Sequence, residues 1–394
     1  MRTTSLLTAM LALPATGVAA NSSPGTLAVI VRETAGIRRG NFPTQAQAQL
    51  ARGALQDAAN VRLLLGDEEV PLQTSAGSRW PDGSIRQIDL NFNTSIAPLG
   101  ELRYRLEIGG AREARPITSE RLEVIESSDG LQVGKLRFAR QPAALLQSVA
   151  FGQEIVGDGL NAVSVTDASG ATYLLGGEVT VEVVKPGPLA VQIRYSGTAQ
   201  LPDDYGVPFT LTLDVPNTKS WVRYGVRIED PRQRIREVAF NTSFRLGQFP
   251  WVWDFGTGNG SYGAFRSAND SAVLTQVTRN SKSLDWQIAT GPQGSERLYE
   301  RTTGTPPAHA SGWGHLQGAD RAVAFAFEAF GRRSGKYAIA LDGNGQVVFR
   351  FAPEHPVTTH SISIYEHYVA SPAALGAATS PVAMSTPLSV TVEP

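Results

Sequence analysis

VPLQTSAGSRWPDGSIRQIDLNF, running from Val70 to Phe92, is the stretch from which the architecture can be read. Val70, Leu72 and Thr74 fall on one side of an extended segment, and the run from Ile85 to Phe92 alternates again beyond Pro81-Asp82-Gly83-Ser84. That is a strand, a turn and a strand. Pro81 presets φ for the first corner, Asp82 can bond its own backbone, and Gly83 accepts the positive φ of a tight reversal. Trp80 can bury its ring against the hairpin, and Asp82 and Arg86 stand as either structural or functional groups beside it.

The same period persists outward. LAVIVRE (Leu27 to Glu33), VRLLLG (Val61 to Gly66) and ELRYRLEIGG (Glu101 to Gly110) read as further strands, spaced as in a small antiparallel barrel or sandwich. QAQAQLARGAL (Gln45 to Leu55) reads as a helical turn or a structured loop, with loop the better choice. Apolar content drops over Gly109 to Arg121, which marks a domain boundary. From Arg121 the alternation restarts. Val179, Val181 and Val183 face Leu189, Val191 and Ile193 across a Lys185-Pro186-Gly187-Pro188 turn, and strand-like runs follow one another to His360–Ala370. The tail AMSTPLSVTVEP permits one last edge strand. No helical periodicity is sustained. The expected fold is all-β: a small N-terminal β-barrel over residues 21–115, then a large antiparallel β-sandwich over 121–394, because an alternating strand must cover its apolar face with a second sheet.

Composition sets the limits. A chain of 394 residues, 42% of them hydrophobic, supports about two domains. With 35 basic against 36 acidic residues there is no electrostatic footprint for nucleic acid. Cysteine is absent, which excludes a disulfide framework and a thiolate nucleophile. Residues 1–20 read as a signal peptide cut after Val18-Ala19-Ala20, so the mature chain is expected to begin at Asn21, secreted or periplasmic. The apolar run is too short to span a bilayer and has no companion later, so no integral membrane segment is expected after signal removal.

The opening stretch, with ARGALQDAANVRLLLGDEEVPLQ (Ala51 to Gln73) just before it, resembles the first barrel of the exo-acting rhamnogalacturonan lyase (YetA-like) family. Arg52, Gly53, Leu55, Val70, Pro71, Leu72, Gln73, Trp80, Pro81, Asp82, Gly83, Ser84 and Arg86 match its two motifs as they stand. The resemblance implies a RIFT-type barrel followed by a supersandwich-like β-domain. In that family a helical toroid comes next; here the chain stops after the β part. It also implies a carbohydrate-active protein acting on or binding acidic polysaccharide, as a polysaccharide lyase or a hydrolase. The alternative is a non-catalytic carbohydrate-binding or assembly module of the same fold.

All five histidines lie between His309 and His367, in a segment that also holds Trp313, Arg321, Glu328, Tyr365 and Glu366. The candidate catalytic set is His315, His360, His367, Tyr365 and Arg321, with imidazole and phenol as proton donor and acceptor and an arginine to neutralise a uronate carboxylate. Arg350 is an equal candidate for that last role. The competing reading makes these ordinary strand residues. His360 and His367, seven apart, point to opposite faces of an unbroken strand and would not share a metal. No metal or cofactor is expected; Asp203-Asp204 is a conceivable calcium contact without the alternating acidic loop. Glu328, Asp254, Asp230 and Glu366 are available for paired-carboxylate hydrolysis.

The candidate substrate platform lies in QFPWVWDFGTGNGSYGAFR (Gln248 to Arg266), where Trp251 and Trp253 project to one face, with Tyr262, Phe265 and, later in the chain, Trp313 completing it. The alternatives are two tryptophans plugging the end of the sandwich, or a partner-protein interface. No nucleotide-binding glycine loop and no Gly-x-Ser-x-Gly elbow is present.

Overall fold

The computed structural model describes residues 25–109, 121–128, 130–139, 148–151, 154–158, 163–257, 261–279, 282–292, 296–301, 310–369 and 379–394. The signal reading over 1–20 and most of the 109–121 boundary lie outside them. What is described is all-β apart from one seven-residue helix, Thr379–Ser385.

The N-terminal body wraps two sheets around one core. One sheet is three-stranded, in the order Arg39–Gln49, Ile85–Ile96, Leu72–Arg79; the other is five-stranded, in the order Ser389–Glu393, Gly25–Arg32, Glu101–Ile108, Val61–Leu65, Glu68–Val70. Ile88, Leu90 and Phe92 face Val29, Val31, Leu63 and Leu106 across that core. The opening hairpin forms as its sequence demands. Gly83 takes a φ of 86°, its N–H donates to Trp80 O at 2.9 Å, and Trp80 N–H donates to Ser84 O at 2.8 Å. The matched residues knit this turn to the preceding loop: Arg52 Nε bonds Asp82 Oδ2 at 2.8 Å, Trp80 Nε1 donates to Leu50 O at 3.1 Å, and the Arg86 guanidinium lies 5.1 Å from the Trp80 ring centroid. Ser84 first, then Arg52, hold the Asp82 carboxyl down at about 2. Asp82 and Arg86 are thus both engaged in holding the turn.

Two expectations are corrected here. Gln45–Leu55 is not a loop throughout: Arg39–Gln49 is a strand in which Ala46 and Ala48 point inward while Gln45, Gln47 and Gln49 point out. The final strand, Ser389–Glu393, does not extend the sandwich but pairs antiparallel with Gly25–Arg32, so the chain's end belongs to its first body.

The sandwich proper has a front sheet of nine strands and a back sheet of eight. The front order is Val179–Pro186, Ala190–Leu201, Tyr205–Pro216, Trp221–Glu229, Thr359–Val369, Ala322–Phe327, Trp313–Gln317, Trp251–Phe255, Ser261–Phe265. The back sheet presents Phe240, Ile339 and Phe349 to front-sheet residues such as Tyr224, Phe325 and Ile364, all fully buried in one core. A third, five-stranded sheet of short strands adds Leu131, Val133 and Phe138 to it. The apolar residues of the front sheet alternate, so its other face is left to a different set of side chains.

Candidate functional site

That outward face is built row by row from the pairing register. One row runs Tyr262, Asp254, His315, Ala324, His367, Trp221 across six adjacent strands. The next, two residues along, runs Trp313, Ala326, Tyr365, Arg223, Asp214, Gln192. Ala324 and Ala326 make a low shelf in the middle, and the C-terminal helix sits on it, with Ala383 and Met384 packed among Phe42, Trp221 and the two alanines. Arg39, buried, fixes that helix by donating to Ala383 O at 2.8 Å and Thr386 O at 2.5 Å. Its charge is met by Glu33, whose carboxyl burial pushes up but which the N–H groups of Leu99, Ala35 and Gly36, with Arg39, draw down to about 2.

Beside the helix lies a cavity of about 280 Å³ between the two bodies. Its floor is the front sheet (Asp214, Trp221, Arg223, Tyr365, with Glu328 just past a strand end), one wall is the N-terminal body (Phe42, Thr44, Gln45, Asn91, Asn93), and another is the C-terminal segment (Met384, Pro387, Leu388). The bodies are held in place around it by Gln73, whose Oε1 accepts from Leu189 N at 2.8 Å and Ala190 N at 2.9 Å, and whose Nε2 donates to Ala190 O at 3.0 Å.

Arg223 organises the floor. Its Nη2 donates to Glu328 Oε2 at 2.8 Å and Ser363 Oγ at 3.1 Å, and its Nη1 to Asp214 Oδ2 at 3.2 Å. Burial works against its charge, but the carboxylates of Glu328 and Asp214 outweigh that and keep it cationic. Burial likewise pushes the Tyr365 phenol up, beyond what Arg223 offsets, so it stays protonated and serves as a hydrogen-bond group. Opposite, Asn91 is 2% exposed and neither end of its carboxamide has a hydrogen-bond partner.

On the far side of the helix, Asp254 Oδ1 accepts the His315 backbone N–H at 2.7 Å and lies 2.9 Å from His315 Nδ1. That fixes the ring and leaves Nε2, buried and without a partner, as its second nitrogen. His367 Nε2 lies 2.8 Å from Ser220 Oγ, and burial first, then Lys219 and His315, lowers it to about 4, so this imidazole is neutral at pH 7.

The structure thus brings together His315, His367, Tyr365, Trp313 and Tyr262 on one face and separates the remaining expected residues from them. Trp251 and Trp253 do share a face, but it is the core face: they are 6% and 2% exposed and cannot form a platform. Gly263 leaves room for the Trp253 ring, since a Cβ there would come within 2.4 Å of it. His360 is also turned inward, with Nε2 at 3.7 Å from buried Asp230. Arg321 sits at the turn before its strand, donating to Arg245 O at 3.4 Å. Arg350 belongs to the back sheet, and Glu366 points into the core. Asp203 and Asp204 form a turn with φ of 63° and 51°, and Asp203 is bonded to Arg234 at 3.2 Å. Sequence reasoning missed Arg223, Asp214, Trp221 and Asn91. A signal for the first existed: in WVRYGVRIE, Trp221 and Arg223 occupy the positions left over by buried Val222, Tyr224 and Val226.

The sequence matches no family model and no curated protein. Among solved structures the chain is similar to a protein in glycosyl hydrolase family 38 from Enterococcus faecalis, with 8% identity and a TM-score of 0.55 over 94% of this chain and 47% of that one. The chain therefore spans about half that protein's length, and the likeness is one of fold. A putative aldose 1-epimerase from Klebsiella pneumoniae (8% identity, 67% of this chain, 86% of that one, TM-score 0.38) and a galactose mutarotase-like protein from Clostridium acetobutylicum (7%, 64%, 100%, 0.34) are matched more loosely.

Proposed function

We propose that this chain is an exported carbohydrate-binding β-protein whose saccharide seat is the cavity between its two bodies. The observation that carries the reading is the facing of two polar surfaces across that space: the Arg223 network with Tyr365 on one side, and the unpaired, buried Asn91 carboxamide on the other. Hydroxyl-rich ligands satisfy such groups. The likeness in fold to a glycosyl hydrolase family 38 protein is in keeping with this, as is the resemblance of the opening barrel to exo-acting rhamnogalacturonan lyases, which makes pectic polymers the first to try.

Binding is favoured over cleavage at this seat. Asp214 and Glu328 are both held by the same guanidinium, and the Tyr365 phenol keeps its proton, so the phenol does not serve as a base at neutral pH. The test is incubation of the mature protein with pectic and other polysaccharides, following retention, unsaturated products and new reducing ends. Retention without products is expected. No retention on any saccharide would end the carbohydrate reading.

A second reading, a lyase or hydrolase, is favoured by one feature: the Asp254–His315 pair has the form of an oriented base, with Nε2 unoccupied on the same sheet face. Products formed by the wild type and abolished by His315→Gln, with retention intact, would establish it.

A further inference from the structure

The charge, size and unmet hydrogen bonds of the cavity narrow its ligand further than the class of saccharides. We propose that it takes a single neutral pyranose ring, and that Asn91 selects it by bonding a pair of neighbouring hydroxyls. The proposal rests on the saccharide reading above and specifies it.

Asn91 lies on the strand Ile85–Ile96, whose Leu90 and Phe92 fill the N-terminal core, so its own side chain is turned the other way, toward the cavity it lines. A carboxamide offers one acceptor oxygen and two donor hydrogens. Buried at 2% exposure with Oδ1 and Nδ2 both unpaired, it is in the state that native proteins rarely leave uncompensated. Two adjacent hydroxyls, one donating to Oδ1 and one accepting from Nδ2, complete it. Two of the neighbouring polar side chains of the N-terminal body are otherwise engaged, Asn93 Nδ2 donating to Asn217 Oδ1 at 3.0 Å and Thr44 Oγ1 to Phe42 O at 3.1 Å, while Gln45 is exposed to solvent.

Charge argues against an acid. The lining holds two carboxylates, Asp214 and Glu328, and one guanidinium, Arg223, a balance of −1. Arg223 already spends donors from all three of its nitrogens on Glu328, Asp214 and Ser363. A uronate would bring another negative charge to a partly desolvated site with no cation left to meet it. Volume argues against a long chain. The cavity, at about 280 Å³, falls just below the ~300–1,000 Å³ typical of small-molecule sites, room for about one ring.

The experiment is a calorimetric titration of the full mature chain with methyl α-D-galactopyranoside and with its uronate counterpart, which keeps the ring and replaces the C6 hydroxymethyl by a carboxylate. Methyl glycosides of glucose, mannose and rhamnose are run alongside to cover hydroxyl stereochemistry. At least one neutral glycoside is expected to bind about tenfold or more tightly than the uronate. Asn91→Leu is expected to weaken that binding by about tenfold, while its thermal midpoint stays at or above that of the wild type, because an unpaired buried amide is replaced by an apolar group of similar size. Tighter binding of the uronate, or unchanged binding in Asn91→Leu, would overturn the inference and leave the saccharide reading standing. So would retention of polysaccharides with no monosaccharide bound. Failure of every glycoside and every polysaccharide would take both down.

Discussion

Glu366 and His367 are consecutive residues on one strand, turned to opposite faces, and they pull the protein's pH response in opposite directions. Glu366 is 1% exposed inside the sandwich; burial raises its carboxyl to about 7 despite bonds from Tyr368 and Thr242. The folded state then holds a proton that the unfolded chain releases near 4.5, so its contribution is complete below about 4.5 and is lost as pH rises to about 7, a change of about 3 kcal/mol. His367, lowered to about 4, behaves the other way: the unfolded chain takes up a proton near 6.5 that the folded state refuses, so stability falls as pH drops from about 6.5 to about 4. Urea unfolding between pH 4 and 8 should therefore show a wild-type profile flattened by cancellation. Glu366→Gln should rise with pH over the window 4.5–6.5, and His367→Gln should fall. Parallel profiles for the two variants would contradict the assignment. The same strand shows what sequence leaves open at this scale. Alternation put His360 and His367 on different faces, as it put Trp251 and Trp253 on one, but a period of two does not say which face meets the core, and that is why the tryptophan platform became part of the interior.

At the scale of elements, the C-terminal helix is the piece with the least support of its own. Seven residues are too few for a helix that stands without packing, and its Ala383 carbonyl and that of Thr386 just past its end are tied to the body by one side chain, Arg39. Arg39→Met should cost about 3–5 kcal/mol, the loss expected when one partner of a buried ion pair is removed, and the helix should loosen first. The natural chain has no cysteine, so Ala326→Cys, beneath the helix, is a clean reporter. Thiol labelling at that site should accelerate about tenfold or more in the Arg39→Met background. A Val323→Cys control, facing the sandwich core, should label only at the rate of global unfolding. Equal rates at the two sites would mean that the helix does not open separately. Neither Arg39 nor the helix was legible in advance: SPVAM has no repeat long enough to show a helical period. Arg39–Gln49 escaped for a related reason. Its inward positions include Ala46 and Ala48, which alternate faithfully with glutamines but carry too little apolar weight to signal a strand.

On the scale of the whole molecule, the two bodies are not separable at the point where composition changes. The strand Ser389–Glu393 runs back across the full chain to pair with Ala28–Arg32, and Leu388, Val390 and Val392 pack on the N-terminal core. A fragment ending near residue 115 would lose those side chains and leave Gly25–Arg32 as an exposed sheet edge, a template for association with other chains. Such a fragment is expected to be less stable than the same body within the full chain and prone to aggregate. A peptide spanning residues 386–394, added in trans or fused ahead of Gly25 through a flexible linker, should restore solubility and a cooperative transition. If the fragment folds cooperatively and stays monomeric without that strand, the closure is decorative. If the strand is required, the reason lies in the cavity as much as in the core. Pro387 and Leu388 lead into that strand and Val390 lies in it, and all three are part of the cavity wall, so the pairing that completes the first body also seals the site between the two.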